Sequence, residues 1–274
     1  MPFKLDGPLL LAGAGKMGGA LLEGFMAQGL PAGEIIVQDP SPPPEVANFL
    51  RRSGIRYEAT VAALDAAPSV ILVAVKPQVM DEVFPPLAKL AGPGTIVLSI
   101  AAGKTLASFQ RHLAPQICVI RAMPNTPAQV GRGVTACVAN AATSAEQRAV
   151  ASALLSSVGS VVWLDREDQM DAVTAVSGSG PAYVFLVAEC LAEAGRSAGL
   201  SPDLANTLAR ATVAGAGELL HRSDLDAAIL RRNVTSPGGT TAAALDVLMA
   251  KPGLEELMSE AVAAAVRRSR ELAK

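Results

Sequence analysis

The first 164 residues alternate short apolar runs with amphipathic helical patterns, and that alternation restricts the fold more than any other feature. Leu9–Ala12, Glu34–Gln38, Val70–Ala74, Thr95–Ser99, Ile117–Ala122, Val134–Ala139 and Val161–Leu164 have strand length and composition. Between them, Met17–Gln28, Val79–Leu90 and Ala145–Ser156 repeat apolar residues at helical spacing. Strands alternating with helices predict a mostly parallel sheet covered by helices on both faces. After Trp163 the strand pattern stops, and Ala182–Ala198, Pro202–His221, Thr241–Met249 and Leu254–Leu272 read as helices. The expected architecture is α/β: a doubly wound sheet over residues 1–164, then an all-helical domain over 165–274. Several of those helices are apolar on more than one side, which a small isolated bundle does not bury. The helical part is therefore expected to form a homodimer.

Composition narrows the partners. Half of the residues are hydrophobic but only 3% aromatic, so the core must be aliphatic and closely packed. A net charge of −2 without long runs of one sign argues against nucleic acid or an anionic membrane as the main partner. Cys118, Cys137 and Cys190 stand far apart, form no metal-type pair, and fit a reducing cytoplasm. The run LLLAGAG is too short for a signal core and leads into a glycine motif. No apolar segment is expected to reach the length of a membrane span. The expectation is a soluble, cytoplasmic protein.

Gly13-Ala14-Gly15-Lys16-Met17-Gly18 fits G-x-G-x-x-G directly after one expected strand and before one expected helix. In that context the first Gly makes the turn, the second admits a pyrophosphate, and the third lets helix and strand pack closely. This is the signature of a Rossmann-type dinucleotide site. Asp39, at the end of the second strand, falls where ribose is usually read. Its carboxylate accepts from a ribose 2′-OH and repels a 2′-phosphate, and only Pro40 and Ser41 follow it, so the residues lean towards NADH. An Asp in a plain Asp-Pro-Ser turn is the alternative. Two further loops should border the same crevice: Ala74-Val75-Lys76-Pro77 and Ala101-Ala102-Gly103. Asn125, held between Pro124 and Pro127, is either a polar group aimed at the ligand or part of a rigid connection.

A second glycine turn lies at the other end of the chain. NVTSPGGTTAAALDVL, Asn233 to Leu248, breaks at a Pro and two Gly and reopens as a helix. Such a turn presents backbone N–H groups with hydroxyls beside them, which suits an anion. One turn is expected to hold a cofactor and the other a substrate.

AVKPQ, RAMPNTP, AVSGSGPAYVF and VTSPGGTT, in this order, resemble pyrroline-5-carboxylate reductase over essentially the whole chain. The resemblance implies a Rossmann domain followed by a helical dimerisation domain, with dimers that commonly assemble into a decamer of five dimers. It implies reduction of (S)-1-pyrroline-5-carboxylate to L-proline with NADPH or NADH. By the same resemblance, Gly239, Thr240 and Thr241 hold the substrate carboxylate, Thr241 also through its hydroxyl. Asn233 and Ser236 orient the ring, and Glu167 matches a ligand-side acidic position. One departure leaves the cofactor preference open: many NADP-using members carry Asn-Arg where this chain has Asp39-Pro40.

The chain holds only two histidines, His112 and His221, neither in a candidate loop. A cyclic imine arrives protonated, so its reduction needs alignment of donor and acceptor more than an acid. A β-hydroxyacid dehydrogenase of similar layout generally needs a Lys early in its helical domain, and none lies between Asp168 and Leu200. A nucleotide-sensing protein without catalysis would not need the SPGGTT loop intact.

Overall fold

The computed structural model describes residues 5–272, so the outermost ends of the two expected domains lie outside the described residues. Chain order is β1 (Leu9–Ala12), α1 (Lys16–Ala27), β2 (Ile35–Gln38), α2 (Pro44–Ser53), β3 (Arg56–Glu58), β4 (Val70–Val73), α3 (Met80–Ala88) and β5 (Ile96–Ser99). Then follow α4 (Leu106–Gln110), β6 (Cys118–Met123), β7 (Gly133–Ala139), α5 (Ala145–Leu155), β8 (Gly159–Trp163) and α6 (Met170–Val173). A π-helical turn over Thr174–Gly178 leads into α7 (Gly180–Ser197), α8 (Pro202–Arg222), α9 (Ala227–Asn233), α10 (Thr240–Leu248) and α11 (Leu254–Leu272).

The chain divides into two compact units, Met1–Gly178 with Val266–Lys274, and Ser179–Ala265. The first contains one sheet of order β3-β2-β1-β4-β5-β6-β7-β8. All its pairings are parallel except β6 with β7, so β7 and β8 run against the rest. Period-two alternation sends neighbouring strand residues to opposite faces. Leu9 and Leu11 join Leu21, Leu22 and Phe25 of α1 and Leu154 of α5 in one core. Leu10 and Ala12 join Phe84 and Leu87 of α3, Phe109 of α4 and Met170 in the other. Phe84 and Phe109 meet edge to face, with centroids 4.9 Å apart. Several elements escape the sequence pattern: the short helices α4, α6 and α9, and also β3 and α2. β3 is a polar strand that pairs along β2, and α2 starts at a proline-rich run that resembles a turn.

Residues 167–178 belong to the sheet unit, because Met170 is buried in its second core and Glu167 pairs with Arg121 of β6. The expected boundary near residue 164 marks where the last strand ends. The last turns of α11 also return to this unit: Ser269 Oγ donates to Asp171 Oδ1 at 2.7 Å.

In the second unit, α7 and α8 pack through small residues. Gly199, with φ +98°, ends α7, and Ser201 caps α8 through the N–H of Leu204 with Pro202 at its first position. Among the described residues of this unit only Ala192, Ala205 and Ala209 are buried. Val184, Phe185, Leu186, Leu204, Leu208 and Leu257 are exposed. One helical run among the described residues, Glu167–Ser197, is long and apolar enough to cross a membrane by length and composition, at mean hydropathy 1.3. The expectation that no segment reaches that length is corrected by this run. Its Gly178-Ser179-Gly180-Pro181 stretch reads as an interruption, whereas the backbone passes through it as a π-turn and a helix start.

Phe84 is 1% exposed, so Phe84→Ala removes a ring from a closed core. A loss of about 3–5 kcal/mol in unfolding free energy is expected, measured by urea denaturation.

Candidate active site

The first glycine turn satisfies three separate steric demands. Gly13 adopts φ +90°, and a Cβ there would lie 2.8 Å from the Ala74 carbonyl oxygen. Gly18 faces the Gly13 carbonyl so closely that a Cβ would overlap it, which fixes the approach of α1 to β1. Gly15 is the N-cap of α1, makes no side-chain cap, and has nothing within 4 Å of where a Cβ would stand. The first N–H groups of α1, those of Lys16, Met17 and Gly18, have no intrahelical acceptor. A helix N-terminus with open space before it takes a phosphate. The residues present therefore fit a dinucleotide pyrophosphate.

The sheet brings the remaining loops to the same edge. Gly13 N–H donates to Gln38 O at 2.9 Å, Ala74 N–H to Ala12 O at 2.7 Å, and Ile100 N–H to Val73 O at 3.0 Å. These bonds tie the loops after β1, β2, β4 and β5 side by side at the carboxyl ends of parallel strands. The chain leaves β1 towards β2 and β3, then returns to β4 on the other side of β1. That reversal is where such sheets open a ligand crevice. Asp39 accepts from Ala14 N–H at 2.7 Å and from Ser41 N–H at 2.8 Å. Lys76 is exposed and precedes a 3₁₀ turn with Pro77 at its first position; Ala74 and Val75 are half-buried. Ala101 is buried, Ala102 exposed, and Gly103, with φ +74°, lies against the Leu272 carbonyl at the end of α11.

Two candidates turn inward. Asn125 is 9% exposed; its Oδ1 accepts from Val134 N–H at 2.9 Å and its Nδ2 donates to Ser177 O at 3.3 Å. Its side chain ties β7 to the π-turn, leaving one amide hydrogen for anything else. Glu167 Oε1 accepts from Leu106 N–H at 2.8 Å and from Arg121 at 2.9 Å. Glu167 thus joins the start of α4 to the end of β6. Sequence reasoning gave Arg121 no role, although a lone Arg inside the apolar strand CVIRAM is itself a sign of a buried partner. It also missed Ser177, whose hydroxyl is buried without a partner among the described residues.

The second turn lies wholly in the helical unit. Asn233 ends α9 rather than standing in the loop. Gly239 N–H donates to Ser236 O at 3.0 Å, and Gly238 takes φ +68°. The N-cap of α10 is Gly239, without a side-chain cap. Neither Thr240 nor Thr241 caps the helix, and neither hydroxyl has a partner among the described residues. This is an open helix N-terminus flanked by two uncommitted hydroxyls.

Among the described residues no cluster of His, Cys, Asp and Glu is arranged to hold a metal. Burial pushes the Cys137 thiol up to about 12 and also raises that of Cys118, so neither is a thiolate at neutral pH.

A doubly wound sheet with this glycine turn, continued by a helical unit without its own core, defines a nicotinamide-dependent oxidoreductase that oligomerises. Residues 167–272 match the family model described as pyrroline-5-carboxylate reductase dimerisation, and residues 9–103 match NADP oxidoreductase coenzyme F420-dependent. The chain is 43% identical over 261 residues to a pyrroline-5-carboxylate reductase of Pseudomonas aeruginosa, covering 95% of each. A solved pyrroline-5-carboxylate reductase from Coxiella burnetii superposes with a TM-score of 0.90 at 34% identity, over 98% of this chain and 99% of that one. A Plasmodium falciparum pyrroline carboxylate reductase with NADP bound gives 0.81 at 28% identity, over 98% and 99%. The chain belongs to the pyrroline-5-carboxylate reductase family.

Gly15→Val fills the open space before α1 with branched carbons. Dinucleotide affinity, read by fluorescence titration, is expected to fall at least about tenfold while the circular dichroism spectrum is unchanged.

Proposed function

We propose that this chain reduces 1-pyrroline-5-carboxylate to proline by using its two glycine turns for two anions. The Gly13–Gly18 turn, with Asp39, Ser41 and the loops at Ala74–Pro77 and Ala101–Gly103, holds NADPH or NADH. The Ser236–Thr241 loop holds the substrate carboxylate. The open N-terminus of α10 carries this reading: its first N–H groups are uncapped, and both threonine hydroxyls beside them are uncommitted. Backbone N–H groups of Thr240 and Thr241 take the carboxylate. The Thr241 hydroxyl bonds to the carboxylate or the ring nitrogen, and Asn233 and Ser236 orient the ring.

When bound, the reduced nicotinamide supplies hydride to the carbon of the C=N bond. A protonated cyclic imine accepts it and becomes a neutral amine without help from a protein acid, so positioning is the main task. Both histidines fit that economy. His112 packs on the edge of Phe84 and accepts from Arg111 Nε, and His221 lies in α8. Glu167 and Asn125 act on the site indirectly, by holding α4 and the π-turn.

The helical unit buries only three alanines of its own, and a second copy of the chain supplies the missing core. We place the protein in the cytoplasm as a homodimer, with further assembly to five dimers, and assign the apolar face of α7 to the partner subunit rather than to lipid. Nucleic acid is not among its partners.

Oxidation of NADPH and NADH with 1-pyrroline-5-carboxylate, followed by absorbance, tests the reaction. No turnover with either would favour a nucleotide sensor. Thr241→Val keeps the shape and removes the hydroxyl. A lost charge-assisted bond of about 1.5–3 kcal/mol lowers kcat/KM roughly ten- to a hundredfold. Thr240→Val is expected to stay near wild type, and cofactor affinity to be unchanged in both. Phe185 is 62% exposed in the single chain. Phe185→Glu is expected to shift the light-scattering mass towards the monomer.

A further inference from the structure

A carboxylate, that of Asp39, is held beside the first turn. Asp39 ends β2, and both of its oxygens are anchored: Oδ2 by Ala14 N–H at 2.7 Å and Oδ1 by Ser41 N–H at 2.8 Å. The first bond pins the carboxylate against the glycine turn. The second closes a turn over Pro40 and stops the group from swinging away. Asp39 remains half-buried, so it is still reachable. A carboxylate held in this way has only acceptor capacity left. It suits a ribose with free hydroxyls and opposes a ribose that carries a 2′-phosphate.

Among the described residues no basic side chain is paired with Asp39. Pro40 is uncharged, and Ser41 offers only a hydroxyl. Asp39 N–H donates to Glu58 O at 3.0 Å, which places β3 alongside. The cation of β3, Arg56, is paired with Glu58 at 2.7 Å. Arg51 of α2 bonds within its own helix, to Ala47 O and Asn48 Oδ1. Lys16 is exposed at the start of α1, on a long stem in water. Among the described residues, the bonds that fix the Asp39 carboxylate come from backbone N–H groups and none from a basic side chain.

We propose that this chain is selective for NADH over NADPH, and that Asp39 sets the selectivity. The proposal rests on the Gly13–Gly18 turn being the dinucleotide site. Family membership does not decide the matter, since the Plasmodium falciparum relative was solved with NADP bound at 28% identity.

Calorimetric titration of the full-length protein with ADP-ribose and with 2′-phospho-ADP-ribose reads this site without turnover. ADP-ribose is expected to bind at least about thirtyfold tighter, because juxtaposed like charges cost several kcal/mol. That ratio should shrink severalfold between about 0.05 and 1 M salt, as screening predicts. Asp39→Asn should bring the two fragments within about threefold, chiefly by strengthening the phosphorylated one. Equal binding, or tighter binding of 2′-phospho-ADP-ribose, overturns the selectivity while leaving the dinucleotide site in place. If neither fragment nor NADH binds, the dinucleotide reading of the turn falls and the selectivity with it. Discrimination retained in folded Asp39→Asn overturns the assignment to this residue. Should that variant fail to fold, the ratio in the native protein and its salt dependence decide the question, a salt-independent ratio counting against charge repulsion.

Discussion

A parallel sheet is stable only when both of its faces are covered, and the rest of this structure follows from that requirement. Leu9 and Leu11 face α1 and α5, while Leu10 and Ala12 face α3 and α4, so the central strand is buried on both sides. Covering both faces requires helical crossovers, and crossovers bring the strand ends and helix starts to one edge. The ligand crevice is the consequence of that geometry. The loops that border it are tied to each other by single backbone bonds at the points where the ladder ends. β7 and β8 run the other way and add no crevice loops of this kind.

The two glycine turns share one piece of physics and differ in what surrounds it. Each leaves the N-terminus of a helix without a side-chain cap. The first has an anchored carboxylate beside it, which favours hydroxyl donors. The second has two threonine hydroxyls and no acidic side chain within the loop. The same attraction of a helix N-terminus for anions thus stands among different neighbouring side chains in the two turns.

The helical unit shows the opposite case to the sheet. Its helices form from local signals such as Gly199, Ser201 and Pro202, yet they bury almost nothing among themselves. Small residues let α7 and α8 approach: a Cβ on Gly195 would stand 3.3 Å from the Ala205 Cβ. The larger apolar side chains stay exposed in the single chain, in keeping with the dimerisation domain that residues 167–272 match.

Local features are legible in the amino-acid sequence alone. The apolar runs locate β1, β2 and β4 to β8 to within a residue or two, because hydrophobic periodicity depends only on neighbours in the chain. The glycine turn is legible for the same reason: its steric demands are met within a few residues and the adjoining strand. β3 is not, since Arg56-Tyr57-Glu58 lacks an apolar run and is a strand only because β2 offers a free edge. α2 is obscured by its prolines, although Pro44 at its start and Gly54 after its end mark a helix. The direction of β7 is not written in its residues, because an alternating pattern is the same in either sense. At the site, the tertiary structure decided what each polar side chain is committed to. Asp39 meets Ala14 across 25 residues, Arg121 meets Glu167 across 46, and Asn125 meets Ser177 across 52. A sequence names the donors and acceptors, but only the folded chain determines which are already satisfied and which are left for a ligand.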